Sequence, residues 1–479
     1  MLGKCCKLCG IIVGFLIALL GLVCIKPVND ALVVYSQKEL EVGNLFAGIQ
    51  MLQMFGGLAK CVHLPFSEAI FVACMRTSFA DFWFVPAHGW EGAGVGIKAL
   101  ADPGQPGIFA FSHQAVTDFV NRPRLTRDPD LFVATSVKSM EARGVVPKGL
   151  FPLVISMNTD DPKRTVRRKL LDDFFPSLLK PLALDLNGAA TTAGVLAGDT
   201  KNASAVIAMV GSSLFQALFE FQPSQELLRL IESWLKVAKP CAANKCPPGA
   251  GKGTADAFDK VFAEVAASRV GKDYLKAAAE RNFEDPEGRL REVMFITFFA
   301  GIGGTSDTVS AALFLISSNQ DMLPLFQKDP RAFMIEVARL YPAVAGMTLL
   351  TDEDHELTLG NGRKYHMKVG EYVMNWNAAA NVDPTVFGGP NKSEAYARSF
   401  NPGRDNLERM VTFNGELGQI LACDSTVGCA RGWCGKTGVC AGTAMRPCPG
   451  TRLALHTATN VVKFFVEAGK QGKSAQSEL

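Results

Sequence analysis

The sequence has little net charge, few tyrosines and tryptophans, and no repeat, and each shortage narrows the possible functions. Its 479 residues carry 49 Lys and Arg against 46 Asp and Glu, a net charge of +3, so no nucleic-acid partner is predicted. The 45 glycines and 25 prolines are scattered without a period. Only 6 Tyr and 5 Trp accompany 32 Phe, a bias that suits a broad apolar interior or pocket.

The amino terminus contains one apolar run, residues 11–25, with lysines on both sides. About 15 residues make a marginal membrane span, since roughly 20 are needed to cross a bilayer. The run is either a cleaved secretory signal or an uncleaved anchor. No small-x-small cleavage site follows it, so an uncleaved anchor formed by residues 1–28 is favoured. The nearby Cys5, Cys6 and Cys9 could carry acyl chains that strengthen the attachment.

Residues 446–454 read R-x-C-x-G-x-x-L-A and place a cysteine just before a helix. The apolar residues after Cys448 have helical spacing, and a thiolate at a helix N-terminus is stabilised by the helix dipole. Gly450 lets the backbone approach a flat ligand closely, and Arg446 is placed to meet an anion such as a heme propionate. Cys448 therefore fits a thiolate ligand of heme iron; the alternative is a buried structural cysteine.

Two further motifs precede this cysteine in a fixed order. Residues 336–339 read E-x-x-R in a helical pattern, and residues 400–404 read F-x-P-x-R. The first motif alone is weak, because a Glu and an Arg three apart on a helix are usually a surface ion pair. The ordered set over roughly the last 150 residues is much harder to obtain by chance. It resembles the heme-thiolate cytochromes P450.

This resemblance implies both a fold and a cofactor. The fold is the cytochrome P450 fold, mainly α with a small β part, in a single domain over residues 29–479. The cofactor is heme b, with the Cys448 thiolate as the axial ligand of its iron. In the family, the counterparts of Glu336, Arg339 and Arg404 form a buried charge network behind the heme.

A helix rich in cations is predicted to begin at residues 161–162. Asp161 and Pro162 are a helix start signal, and five of the seven residues from 163 to 169 are Lys or Arg. Such a run usually makes a solvated face. In the cytochrome P450 fold, however, the matching helix crosses the heme and offers a cation to a propionate. The first choice for that cation is Arg168, and the second is Lys163.

A long apolar helix with a glycine-rich middle is predicted over residues 291–319. The resemblance makes it the helix that crosses the distal side of the heme. Monooxygenases of the superfamily normally show A-G-x-D/E-T there, because the acid and the alcohol help to deliver protons to bound oxygen. Here the motif begins at Ala300, but Gly303 and Gly304 stand in place of the acid and the alcohol. Thr305 is one position late, about 100° around the helix, so oxygen activation is predicted to be poorly supported.

The same helix resembles that of the fatty-acid hydroperoxide branch, which includes allene oxide synthases, hydroperoxide lyases and epoxyalcohol synthases. Residues 295–304 read F-x-T-x-F-x-x-x-G-G, and Asn-Gly-Glu at 414–416 resembles the N-G-x-E of that branch. The branch usually has Asn at the position of Ala300 and Thr at that of Ala345, so these departures leave the product open. The resemblance implies that ferric heme cleaves a lipid hydroperoxide homolytically and needs no electron donor.

A cysteine-rich insertion, predicted at residues 417–444, lengthens the loop before Cys448. Its cysteines have gaps of five, four and five residues, which favours two disulfides over a zinc site. They are Cys423, Cys429, Cys434 and Cys440. Cys440 is a rival axial ligand, because C-A-G also occurs in the hydroperoxide branch. Cys448 is preferred because only it has an arginine two residues before it and an uninterrupted helix after it.

The leading prediction is an enzyme that rearranges or cleaves fatty-acid hydroperoxides without external oxygen or a reductase. One alternative is a monooxygenase that uses oxygen and takes electrons from an NADPH-dependent reductase. The second alternative is a heme-binding protein without turnover. The predicted partners are a lipid hydroperoxide and a membrane, with a reductase only under the first alternative. The predicted location is the endoplasmic reticulum or another endomembrane or plastid membrane.

Overall fold

The computed structural model describes most of the chain from residue 107 onward. The described residues are 107–110, 112–120, 125–126, 140–150, 153–155, 157, 161–195, 202–242, 248–251, 253–344, 346–351, 353–358, 364–369, 372–375, 377–427 and 447–477. The predicted membrane segment 1–28, the predicted anion-binding Arg446 and the rival ligand Cys440 lie outside the described residues.

Helices dominate the described part of the chain. They are α1 (His113–Val120), α2 (Pro162–Phe174), α3 (Leu186–Ala193), α4 (Ala203–Phe219), α5 (Gln225–Ala242), α6 (Thr254–Ala267), α7 (Arg269–Glu280), α8 (Pro286–Ile296), α9 (Gly303–Ser318), α10 (Met322–Lys328), α11 (Pro330–Leu340), α12 (Asn377–Ala380), α13 (Pro384–Phe387), α14 (Glu394–Arg398), α15 (Leu417–Ala422) and α16 (Thr451–Ser477). Short 3₁₀ turns occupy Pro176–Leu178 and Leu407–Arg409.

Four of these helices begin in the same way, with an aspartate followed by proline. The carboxylates of Asp161, Asp285, Asp329 and Asp383 each accept a backbone N–H of the first helical turn, and a proline takes the first helical position. An aspartate at this position satisfies an N–H group that has no partner within the helix, and proline has no N–H to lose there. The helix start predicted at Asp161 is confirmed.

Six short strands form the β part of the described residues. They are β1 (Gly107–Ala110), β2 (Leu125–Thr126), β3 (Met347–Thr351), β4 (His355–Thr358), β5 (Lys364–Met367) and β6 (Tyr372–Asn375). Four of them make a mixed sheet in the order β1-β6-β3-β2, in which only β1 and β6 are parallel. The strands β4 and β5 form an antiparallel hairpin. The prediction of a mainly α fold with a small β part is confirmed.

One long helix runs through the middle of the fold, and we call Pro286–Ser318 the distal helix. It consists of α8, a π-helical segment at Thr297–Ile302, and α9. A π-helical segment inside an α-helix is a common feature of functional sites. The helix is long and apolar enough to cross a membrane, but half of its most apolar window is buried inside the fold, as in the core helix of a globular domain.

Phenylalanines pack the interior around the π-helical segment. Phe298 is 1% exposed, and its ring centroid lies 5.6 Å from that of Phe258, 5.9 Å from that of Trp234 and 6.0 Å from that of Phe215. Aromatic pairs at these distances are favourable beyond the area that they bury. The excess of Phe over Tyr and Trp therefore builds the broad apolar interior that the composition predicted.

The last helix, α16, lies against the distal helix and α11. Its predicted apolar face is buried in the main hydrophobic core, at Leu453, Val461, Val462 and Phe465. Because this face fixes the rotation of α16 about its axis, it also fixes the direction from which the preceding turn at residues 447–450 enters the fold.

Candidate functional site

Cys448 lies in a tight turn three residues before α16. Its N–H donates a hydrogen bond to the carbonyl oxygen of Phe413 at 3.0 Å. Its own carbonyl oxygen accepts bonds from the N–H and the hydroxyl of Thr451, at 3.3 and 2.8 Å. The thiol is free and partly exposed. The turn therefore holds an unbonded sulfur just before the first turn of α16.

The segment that receives this cysteine is fixed by a buried asparagine. Asn381 accepts the N–H of Val411 at 2.7 Å and donates to the hydroxyl of Thr412 at 2.8 Å. That hydroxyl donates in turn to the carbonyl oxygen of Ala338, at 2.8 Å. Residues before the cysteine loop are thus attached to α11 from the inside. The role of Asn381 could not be predicted from the sequence, because its partners lie far away in the chain.

Only the start of the cysteine-rich insertion, through residue 427, is described. Arg452 in the first turn of α16 donates to the carbonyl oxygens of Ile420, Leu421 and Cys423, at the end of α15. This cation satisfies carbonyl groups that a helix end leaves unpaired. Cys423 is disulfide-bonded, and the two disulfides within the insertion stay a prediction.

Arg168 on α2 is a buried cation with nitrogen atoms that lack a partner. Its side chain is 3% exposed, and Nε and Nη1 find no hydrogen-bond acceptor in the described structure. Burial lowers the pKa of Arg168, and the strongest opposing influence is the Cys448 thiolate, followed by Asp172 and Glu292. A buried cation of this kind is costly unless an anion reaches it. Arg168 therefore fits a carboxylate bound beside the cysteine.

Lys163, the second choice for this cation, does not share that environment. Its side chain is exposed. Lys163 lies five positions before Arg168 and therefore points about 140° away from it around the helix. Arg164, one turn before Arg168, is the residue that shares the inward face. It is fully buried and donates to the carbonyl oxygen of Val427 at 3.3 Å. Arg164 was not among the cations predicted from the sequence to meet a propionate.

A buried carboxylate ties α2 to the distal helix. Glu292 accepts hydrogen bonds from Arg289 at 2.7 Å, from Arg167 at 3.3 Å and from the N–H of Val154. Burial raises the pKa of Glu292, and both arginines act in the opposite direction. This network, which the sequence analysis missed, holds Arg168 in a fixed position relative to the distal helix.

Gly450 borders open space beside the cysteine turn. An ideal Cβ built on Gly450 would meet no atom of the described residues within 4 Å. The carbonyl oxygen of Gly450 accepts the N–H of Ala454 at 2.7 Å and so begins the hydrogen bonding of α16. The placement agrees with a backbone that leaves room for a flat ligand near Cys448.

Glu336, Arg339 and Arg404 form the predicted charge network. Arg339 holds Glu336 with two hydrogen bonds, of 2.6 and 2.7 Å, and both side chains are 0% exposed. Arg404 approaches the same carboxylate at 3.6 Å. Arg404 also donates to the carbonyl oxygens of Tyr396 and Ser399, at 2.9 and 3.0 Å. The network therefore joins α11 to the loop that follows α14.

Replacing Glu336 by glutamine should destabilise the fold strongly. It leaves Arg339 buried without its charged partner, and breaking a buried pair in this way costs about 3–5 kcal/mol. The midpoint of chemical denaturation measures the loss. The matched control is Glu220→Gln, since the ion pair of Glu220 with Arg269 is exposed on both sides. Equal stability of Glu336→Gln and the control variant would contradict a structural role for the network.

The distal helix has one open face, which we call the distal face and define by Ala300, Gly304 and Ala343. Ala300 is exposed and Gly304 is half-buried, although both lie in the middle of a buried helix. An ideal Cβ on Gly304 would be 3.5 Å from the Cβ of Ala343. The distal face therefore presents methyl groups and backbone.

Thr305 does not belong to the distal face, although it was predicted with Ala300, Gly303 and Gly304 as part of the catalytic group. It is 4% exposed, because the rotation of about 100° after Gly304 turns it into the protein. Gly303 is buried as well, and its space is taken by the stem of Lys239 from α5. Of the predicted group, the structure brings Ala300 and Gly304 together on the open face.

Comparison with known proteins gives one curated relative and a set of solved structures. No protein-family model matches the chain. A mitochondrial hydroperoxide bicyclase from Ectocarpus siliculosus is 28% identical over 139 residues, which are 25% of this chain and 26% of the relative. The match thus spans about a quarter of the length of the curated relative.

The solved structures similar to this chain include cytochromes P450. One from the archaeon Picrophilus torridus has a TM-score of 0.52 at 14% identity and covers 76% of this chain and 89% of its own. The mycinamicin VIII C21 methyl hydroxylase from Micromonospora griseorubida has a TM-score of 0.50 at 15% identity, with 77% and 84% covered. The cytochrome P450 for C–S bond formation in chuangxinmycin biosynthesis reaches 0.50 at 14% identity, with 76% and 80% covered. At such identities the likeness shows the fold alone.

Proposed function

Since this chain has the cytochrome P450 fold, we propose that it is a heme-thiolate enzyme that rearranges or cleaves lipid hydroperoxides. The resemblance seen in the sequence is confirmed at the level of the fold. The observation that carries the proposal is the distal face, whose described residues Ala300, Gly304 and Ala343 supply neither the acid nor the alcohol that oxygen activation needs. A substrate that already contains an O–O bond requires neither of them.

The residues around Cys448 fit heme b. The free thiol at the start of α16 is a suitable axial ligand for iron, and the unpaired donors of Arg168 suit a propionate. Gly450 leaves the space beside the turn open. Arg446 stays a proposed second contact to a propionate. When bound, the heme would supply the iron that breaks the O–O bond.

On the distal side, the protein's own residues bind the substrate rather than donate protons to it. Ala300 and Ala343 offer apolar contact to an acyl chain, and Gly304 leaves room for the peroxide group. Thr305 is turned away, so we assign it no contact with substrate. The relative from Ectocarpus siliculosus is named a hydroperoxide bicyclase, and its aligned quarter supports a hydroperoxide as the substrate class.

One observation favours the monooxygenase alternative. Asp307 lies on the distal helix one turn after Gly303, where the acid of monooxygenases is missing, and its side chain is 12% exposed. A carboxylate one turn late could serve as the acid of a proton relay. The absent alcohol at Gly304 argues against that alternative, because Thr305 does not replace it on the distal face.

The deciding experiment is incubation of purified ferric protein with polyunsaturated fatty-acid hydroperoxides, without reductase or NADPH. We expect rapid loss of the hydroperoxide, with products identified by mass spectrometry. The matched reaction contains reductase, NADPH and the unoxidised fatty acid. Turnover in that reaction alone would replace the proposal by the monooxygenase. Heme uptake with turnover in neither reaction would leave a heme-binding protein without this activity.

Membrane attachment and location are also part of the proposal. The segment at 1–28 is proposed as the anchor, and residues 29–479 as the heme domain with the insertion at 417–444. The curated relative is described as mitochondrial, which adds mitochondria to the endoplasmic reticulum and plastids predicted from the sequence. Fractionation of cells that express the full chain and a chain without residues 1–28 would separate these locations and measure the contribution of the anchor.

A further inference from the structure

A lysine lies across the glycine that replaces the distal acid. Lys239, in the last turn of α5, places its Nζ 3.1 Å from Oδ1 of Asp307 and 3.5 Å from the carbonyl oxygen of Gly303. An ideal Cβ on Gly303 would lie 3.0 Å from Cε of this lysine, which is tighter than an ordinary contact. Gly303 therefore provides the room that the lysine stem occupies.

The ion pair borders the distal face. Gly303 and Asp307 are four residues apart, so they lie one turn apart on the same side of the distal helix. Lys239 packs against this side, and Gly304, the residue after Gly303, belongs to the distal face. The lysine side chain is 38% exposed and the aspartate 12%. The ammonium group is therefore bound by two protein oxygens, and part of the lysine side chain stays accessible to solvent.

We propose that Lys239 binds the carboxylate of a free fatty-acid hydroperoxide and so selects acids over esters; this rests on the proposed function. An ammonium group has three N–H donors, and Asp307 and the Gly303 carbonyl take two of them. Leu235 lies beside Gly303, and the methyl group of Ala343 lies beside the adjacent Gly304. An anion with a long apolar tail matches one cation beside an apolar wall.

Asp307 orients the lysine and competes with the substrate for it. Its carboxylate fixes the ammonium group next to the distal helix, because the stem of a free lysine has several rotamers. It also offsets part of the positive charge that a substrate carboxylate would meet. Removing the charge of Asp307 should therefore strengthen the binding of an acid, whereas removing Lys239 should weaken it. A structural ion pair predicts no such opposite response.

The test measures equilibrium binding of linoleic acid and its methyl ester to the purified holoprotein by calorimetry. In Lys239→Met, the dissociation constant of the acid should rise about tenfold, the loss expected for one charge-assisted hydrogen bond, while that of the ester stays the same. Lys239→Arg should keep the preference for the acid, and Asp307→Asn should increase it. Equal affinity of the wild-type protein for acid and ester would overturn the inference, as would equal losses for both in Lys239→Met.

A turnover measurement separates this inference from the proposed function. Fatty-acid hydroperoxides and their methyl esters are compared without a reductase, in the wild-type protein and in Lys239→Met. We expect kcat/KM of the wild-type protein to favour the acid, and the preference to disappear in the variant through KM. Equal turnover of acid and ester by the wild-type protein would reject the role of Lys239 and leave the proposed function intact. Turnover of neither, with acid binding still dependent on Lys239, would reject the proposed function and leave the anion site.

Discussion

Replacing Cys448 by serine is expected to abolish the thiolate-type carbonyl spectrum of the reduced protein and all turnover of hydroperoxides. A serine hydroxyl does not ionise near neutral pH, so it cannot supply the anionic sulfur that ligates the iron. The main-chain bonds to Phe413 and Thr451 remain possible in the variant, so the turn itself should persist. Circular dichroism of the variant should therefore match that of the wild-type protein.

The control for this variant is Cys440→Ser, which should keep the thiolate spectrum. Cys440 lies in the predicted insertion, and Pro447 would break a helix that began there. Both variants are compared at equal heme content, with the carbonyl difference spectrum as the measurement. A thiolate spectrum in Cys448→Ser, together with its loss in Cys440→Ser, would move the axial ligand to the insertion and remove the basis of the site described above.

The features that the sequence predicted correctly depend on residues close together in the chain. The start of α2 at Asp161 and the ion pair of Glu336 with Arg339 follow from spacings of one and three residues. Helical geometry alone decides such contacts. The position of Arg404 was predicted from the family resemblance rather than from spacing, and the structure places it at the same carboxylate.

The missed features join residues far apart in the chain. Asn381 reaches Thr412 and α11, and Lys239 reaches Asp307 across Gly303. No periodicity in one segment specifies which segment will pack against it, so these contacts depend on the assembled fold. Gly303 is a case in point: the sequence shows a missing acid there, whereas the structure shows the space that Lys239 requires.

Replacing Arg168 by methionine is expected to weaken heme binding by about ten- to a hundredfold and to stabilise the protein without heme. A hydrogen bond to a charged group is worth about 1.5–3 kcal/mol, which corresponds to that range of affinity. Without a bound carboxylate, the buried nitrogen atoms Nε and Nη1 of Arg168 have no acceptor among the described residues. Methionine removes that cost and fills much of the same volume, so the melting temperature of the apoprotein should rise.

The matched control is Lys163→Met on the same helix. Because Lys163 is exposed, its replacement should change neither heme affinity nor the stability of the apoprotein. Heme titration of both apoproteins and thermal denaturation with and without heme give the four required values. Weaker heme binding together with a more stable apoprotein in Arg168→Met is the result expected if Arg168 binds an anionic group of the heme and lacks an anion without it. Weaker heme binding in Lys163→Met, with Arg168→Met unchanged, would instead place the propionate at the exposed start of α2.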